Sequence, residues 1–162
     1  MFKKLFGKKE TSAEVFAPVT GNKVALEEVP DPVFAQKMMG EGIAIEPTEG
    51  TVVSPVEGEI VQVFPTKHAV GLKTNSGAEI LIHIGLETVS MEGEGFEAFV
   101  SQGDKVSVGD KLITFDMDLV KEKAKSTITP IIVTNSDEHD VNVTADEQLT
   151  AGSSNLMTVN QK

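Results

Sequence analysis

Two of the chain's three histidines, His68 and His83, lie within the stretch FPTKHAVGLKTNSGAEILIHIGLETV (64–89), and their spacing decides what they can do together. The middle of the stretch reads as a hairpin turn between two Val- and Ile-containing arms. With the turn centred on Asn75 and Ser76, in a two- or four-residue loop, paired positions sum to 151, which is also the sum of 68 and 83. The imidazoles then face each other across the hairpin, where opposed Cβ atoms lie about 4.5–5.5 Å apart on one face. A three-residue loop with Gly77 in the left-handed region shifts the sum to 152 and removes that direct opposition.

A neutral imidazole nitrogen near pH 7 is a competent nucleophile towards a phosphoryl group, and phosphohistidine stays reactive enough to pass the group on. A second imidazole beside it can donate a hydrogen bond to the phosphoryl oxygens as charge redistributes in a loose transition state. Thr66 falls on the His68 face of an extended strand and can bond that ring, fixing its tautomer. Gly85 leaves room behind His83 for a phosphate or a partner's backbone. Histidines also oppose each other by chance, so spacing alone leaves the pair open between a reactive and a structural role. His139, in the acidic loop 136–140, reads as a structural or surface residue.

The elements that must position these residues are strands. From Val15 onward, short Val and Ile runs alternate with Gly, Pro, Asn and Asp at intervals of roughly 8–12 residues. Strands are expected at 14–18, 21–25, 43–47, 50–53, 58–63, 69–74, 79–84, 96–100, 111–116, 129–133, 140–143 and 156–159. This pattern predicts an all-β fold, an antiparallel sandwich or flattened barrel with at most short helical turns. Those turns are expected at 117–124, which ends in lysines suited to a helix C-terminus, and at 31–38.

Composition narrows the function classes. With 162 residues and 40% hydrophobic content, the chain can build one core, and it has no cysteine for disulfides, thiolate chemistry or zinc ligation. All 14 basic residues are Lys, there is no Tyr or Trp, and the net charge is −11, which together argue against a nucleic-acid partner. Residues 1–13 read as a flexible basic tail and 14–162 as a single domain. Lys3, Lys4, Lys8 and Lys9 precede the first acid, so residues 1–9 carry +4 and the remainder −15. If the tail were helical, Phe2, Leu5 and Phe6 would share a face suited to weak membrane-surface contact; a solvated tail is the equal alternative. No window is apolar enough for a membrane span, and the start lacks a signal-peptide h-region, so a cytoplasmic location is expected.

Two stretches, GTVVSPVEGEIVQVF and VSQGDKVSVGDKLITFD, place glycines at tight turns between β-branched pairs and resemble the half-motifs of a barrel-sandwich hybrid. That architecture serves biotinyl and lipoyl carriers, IIA proteins and lysostaphin-like metallopeptidases, so the site must choose among them. The stretches VPDPVFAQKMMGEGIAI, PTKHA, IHIGLETV, GEGF and KAKSTITP, together with the half-motifs, resemble the glucose-type IIA family of the bacterial phosphotransferase system over about 16–159.

The resemblance implies that His83 is phosphorylated through Nε2, that His68 stabilises the phosphoryl group, and that Thr66 supports His68. It implies phospho-HPr as donor, a cysteine on a IIB domain of a sugar permease as acceptor, and further regulatory protein partners. It assigns Val33, Phe34, Met38, Met39, Phe64 and Val89 to an apolar docking surface, and Asp31 and Glu87 to contacts with basic partner residues. Glu87 stands where the family carries Asp, and Ile84 and Met39 where it carries other hydrophobes, departures that bear on partner preference. No cofactor is required by this reading, although His68 and His83 could share a zinc with a partner's carboxylate. The sugar served is not legible in the chain.

The rival chemistries lack parts. A swinging-arm carrier displays a lysine at a hairpin tip, and the turns 54–58 and 74–77 hold none. A zinc hydrolase needs three protein ligands and an open position, and residue 85 is Gly where an HxH pair would need His. A regulatory protein without turnover is the third alternative.

Overall fold

The computed structural model describes residues 11–162, so the expected basic tail, with the membrane-surface contact considered for it, falls largely outside the described residues. In chain order the elements are β1 (Ser12–Phe16), β2 (Gly21–Val24), a 3-10 turn (Leu26–Glu28), α1 (Pro32–Ala35), β3 (Glu41–Pro47), β4 (Thr51–Val53), β5 (Gly58–Val63), β6 (Ala69–Thr74) and β7 (Glu79–His83). A second 3-10 turn (Thr88–Met91) follows, then β8 (Phe96–Ala98), β9 (Lys105–Val106), β10 (Lys111–Phe115), α2 (Met117–Lys123), β11 (Thr129–Val133), β12 (His139–Val143), β13 (Gln148–Leu149) and β14 (Asn155–Gln161).

Every strand pair among the described residues is antiparallel. An eight-stranded sheet runs β13-β2-β3-β11-β7-β6-β5-β9, and two three-stranded sheets run β1-β14-β12 and β4-β10-β8. The result is the expected all-β sandwich. All twelve predicted strands are present within a few residues of their predicted ends, and two-residue β9 and β13 are additional. β1 starts at Ser12, so it takes in Ser12 and Ala13, which the sequence reading placed in the tail.

The central strands of the large sheet are apolar on both faces, and this is what creates the site. Ile80 and Ile82 of β7, Val70 and Leu72 of β6, and Ile131 and Val133 of β11 face the main core. Between them, Leu81, Ala69 and Ile132 point to the other face, where Leu26, Val29 and Phe34 cover them in a second cluster. Successive strand residues alternate faces, so strands buried on both sides read as continuous apolar runs. His83, two residues after Leu81, therefore belongs to the outer face beside α1. Pro130 is accommodated because β7 pairs with β11 only from Ile131 onward, leaving its missing N–H on an unpaired side.

The β6–β7 hairpin takes the three-residue loop. Ala69 pairs with His83 and Lys73 with Glu79, which corrects the register of 151 to 152. Asn75, Ser76 and Gly77 form the loop, with Gly77 at φ 91°, and the Thr74 hydroxyl accepts from Ala78 N at 3.0 Å. The buried Thr74 and Ser76 hydroxyls lie 2.8 Å apart and reinforce this tighter turn.

Candidate functional site

His83 ends β7 and His68 comes one residue before β6, yet their rings meet at 4.9 Å between centroids and 78° between planes. Strand alternation alone would send His68 to the opposite face from Ala69. The turn before it changes this: Lys67 adopts φ 59° and donates its N–H to Phe64 O at 2.7 Å, while Phe64 N bonds Ala69 O at 3.1 Å. The chain reverses sharply over 64–69, and Ile84 N then holds His68 O at 2.7 Å. Thr66 reaches His68 from this turn, rather than along an extended strand, with Oγ1 2.6 Å from Nδ1.

The partner of each Nδ1 sets what each Nε2 can do. His83 Nδ1 lies 2.8 Å from Gly85 O, a carbonyl that can only accept, so the proton sits on Nδ1 and Nε2 of the neutral ring carries a lone pair. The Thr66 hydroxyl can donate to His68 Nδ1, and that tautomer places the His68 proton on Nε2. One ring then offers a nucleophile and the other a donor.

Both rings stay neutral near pH 7. Burial, and secondarily the neighbouring His83, lower the His68 pKa to about 4. Burial also lowers that of His83, against the Gly85 carbonyl and the charge of Asp31, which favour its protonated form. The apolar surroundings are specific: Phe34 lies 5.1 Å from the His83 ring, and Phe64 stands edge-on to His68 at 5.6 Å.

Gly85 acts inside the protein and not as open space for a visitor, which corrects the sequence reading. Its φ is 74°, and a Cβ there would stand 2.7 Å from the Thr88 methyl and 2.8 Å from Ser126 O. The surrounding bonds aim its carbonyl at His83. Leu86 N bonds Ser126 O, Lys125 N bonds Leu86 O, and the buried Thr88 hydroxyl bonds Ile84 O at 2.6 Å. Thr88 and Ser126 are positioning residues that were not singled out in the sequence, although both lie in motifs, IHIGLETV and KAKSTITP, that were.

A shallow depression of about 370 Å³ opens over the rings. It is lined by Asp31, Val33, Phe34, Met39, Phe64, Glu87 and Val89 from the expected docking surface, and by Leu81, which was not expected. Met38 stands outside the lining, exposed beside it. Phe34, at 4% exposure, is a wall of the second core cluster more than a contact surface. Asp31 has a structural task as well, since its carboxylate caps α1 by accepting from Val33 N at 3.0 Å, with Pro32 in the first helical position. A larger hollow of about 680 Å³ near the far end of β6, lined by Glu57, Glu59, Lys73 and Lys105 among others, contains no histidine.

His139 is buried at 3% exposure at the start of β12, its Nδ1 3.3 Å from Asn135 O and its Nε2 without a protein partner, far from a surface role. Among the described residues no three His, Asp or Glu side chains converge as a metal site, so His68 and His83 supply at most part of one. No helix among the described residues is long and apolar enough to cross a membrane.

Residues 13–139 match the family model described as the phosphoenolpyruvate-dependent sugar phosphotransferase system, EIIA 1. The chain is 60% identical, over the full length of both chains, to the PTS system glucose-specific EIIA component of Bacillus cereus. It is 59% identical to the protein of the same name from Halalkalibacterium halodurans, with 98% of each chain covered. Among solved structures it is similar to glucose permease IIA from Mycoplasma capricolum, with a TM-score of 0.85, 42% identity, and coverage of 92% of this chain and 96% of that one.

Proposed function

This chain belongs to the EIIA 1 family of the phosphoenolpyruvate-dependent sugar phosphotransferase system and so is a phosphoryl carrier of that system, and we propose that it takes the phosphoryl group from phospho-HPr onto His83 Nε2 and passes it to a cysteine of a IIB domain. The observation that carries this reading is the His83 ring itself, with Nδ1 committed to the Gly85 carbonyl and a second imidazole 4.9 Å away.

In the first step the His83 Nε2 lone pair attacks phosphorus, the P–N bond to the HPr imidazole breaks, and that imidazole leaves with the electron pair. The His83 ring gains positive character, which strengthens its Nδ1–H bond to Gly85 O. His68, held by Thr66 with its proton on Nε2, donates to a phosphoryl oxygen. In the second step a IIB thiolate attacks phosphorus, the P–Nε2 bond breaks, and His83 returns to its neutral form. The apolar rim formed by Val33, Met39 and Val89 serves both partners in turn, with Asp31 and Glu87 meeting their basic residues.

The relatives named above are glucose-specific EIIA components, which supports glucose as the sugar served. A regulatory use of the same surface follows from its charge, because phosphorylation adds anionic charge at an apolar centre and changes which partners dock. A zinc ion would fit only with a further carboxylate from a docked partner, and titration calorimetry of the complex with and without zinc checks that reading.

The carrier reading is tested by incubation with phosphoenolpyruvate, enzyme I and HPr, followed by mapping of the modified residue. His83→Gln abolishes incorporation. His68→Gln still accepts the group but transfers it onward at least about tenfold more slowly. Normal transfer by both variants would contradict the assignment.

A further inference from the structure

The chain has no cysteine, so its sulfur chemistry rests on six methionines, five of them among the described residues. Two of these five are buried, Met157 fully and Met91 at 6% exposure, and Met117 is half-buried against the main core. Met38 and Met39 are open to solvent at 69% and 37%, and they are adjacent. Met39 lines the depression over the histidines, and Met38 follows α1, whose Phe34 packs on His83.

The segment carrying them is pinned in place. Lys37 is held in the left-handed region at φ 59°, and its ammonium bridges Glu27 at 3.1 Å and Glu41 at 3.2 Å. Met38 N donates to Val33 O at 3.0 Å. Gly40, at φ 134°, lies so close to the Val133 carbonyl that a Cβ would overlap it. Two thioethers are thus presented to solvent at a fixed position, one lining the depression over the histidines and one next to it, while Met91 and Met157 are buried and Met117 is half-buried.

We propose that Met38 and Met39 form an oxidation site through which a peroxide weakens protein docking at the histidine pair, a role that rests on the carrier reading above. In the reaction, sulfur attacks one peroxide oxygen, the O–O bond breaks, and the second oxygen leaves as water after proton transfer. Sulfur is oxidised by two electrons to the sulfoxide and the peroxide is reduced by the same two. Hydrogen peroxide is uncharged, so the net charge of −11 does not repel it. The sulfoxide replaces an adaptable apolar contact with a strongly polar one that a docking partner must desolvate. No ring atom of His68 or His83 changes. The loss therefore falls on docking, and reduction of the sulfoxide by a methionine sulfoxide reductase restores the surface.

The test treats the full chain with hydrogen peroxide and samples it over time, each sample being digested for mass spectrometry and assayed for phosphoryl uptake from phospho-HPr. Met38 and Met39 gain oxygen ahead of the buried Met91 and Met157. As they do, kcat/KM for uptake falls by about tenfold while kcat at saturating donor changes by less than about twofold. The Met38→Leu/Met39→Leu double variant, compared with its own untreated sample, holds its kcat/KM through the same exposure. Earlier oxidation of Met91 or Met157, full oxidation of Met38 and Met39 with kcat/KM unchanged, or an equal loss in the double variant each overturns the switch. An untreated chain that takes no phosphoryl group overturns the carrier reading, and the switch with it.

Discussion

His68 and His83 are the same side chain given different parts by what each Nδ1 touches: a carbonyl for His83 and a hydroxyl for His68. Replacing Thr66 with Val removes the hydroxyl and releases the His68 tautomer. Onward transfer in rapid-quench experiments should slow by about fivefold, the equivalent of one hydrogen bond of about 1 kcal/mol. Acidity provides a second check. The His68 pKa is about 4 in the folded chain against 6.5 for the free ring, so between these values the unfolded chain binds a proton that the folded chain does not. His68 therefore lowers stability as pH falls from 6.5 towards 4, with no further change below that window, and His83 acts in the same direction. Urea unfolding at pH 7 and pH 5 should show this loss, and His68→Gln should make it smaller.

At the scale of the elements, the site depends on two backbone turns, 64–69 before β6 and the Gly85 turn after β7. Gly85→Ala forces a side chain into a left-handed position against Thr88 and Ser126, so the Gly85 carbonyl must move off His83. The expected cost is about 1–3 kcal/mol in chemical unfolding, together with at least about a tenfold loss of phosphoryl uptake. Asp31→Ala should cost about 1 kcal/mol through the lost α1 cap, beyond any effect on docking. The strands themselves were legible because Val and Ile runs ended in Gly, Pro and Asn, whereas the register of the β6–β7 hairpin was not. Its loop depends on hydroxyl bonds between Thr74, Ser76 and Ala78 N, which residue spacing does not reveal. The ring pairing was anticipated through an opposition that the structure does not contain, and it arises instead from Lys67 in a conformation that only glycine would have signalled.

Across the whole molecule, an eight-stranded sheet whose central strands are buried on both faces places the histidines at the edge of a second apolar cluster, where burial keeps them neutral and a depression opens over them. The motifs made His68, His83 and the rim legible as a set. They did not show that Phe34 is largely buried behind His83, or that Asp31 also caps a helix, since both facts depend on where α1 lies across the sheet. The charge of −11 acts over the same scale. Added salt should lower kcat/KM for uptake from phospho-HPr severalfold while leaving kcat nearly constant, because screening weakens steering and not chemistry. Stopped-flow assays across a salt series measure both quantities.

The most direct measurement is nitrogen-15 NMR of the imidazoles in histidine-labelled protein after enzymatic phosphorylation at pH 7. The predicted spectrum has phosphorus coupled to Nε2 of His83, a proton retained on His83 Nδ1, and a proton on Nε2 of an unmodified His68. Phosphorus coupled to His68, or to His83 Nδ1, would contradict the account.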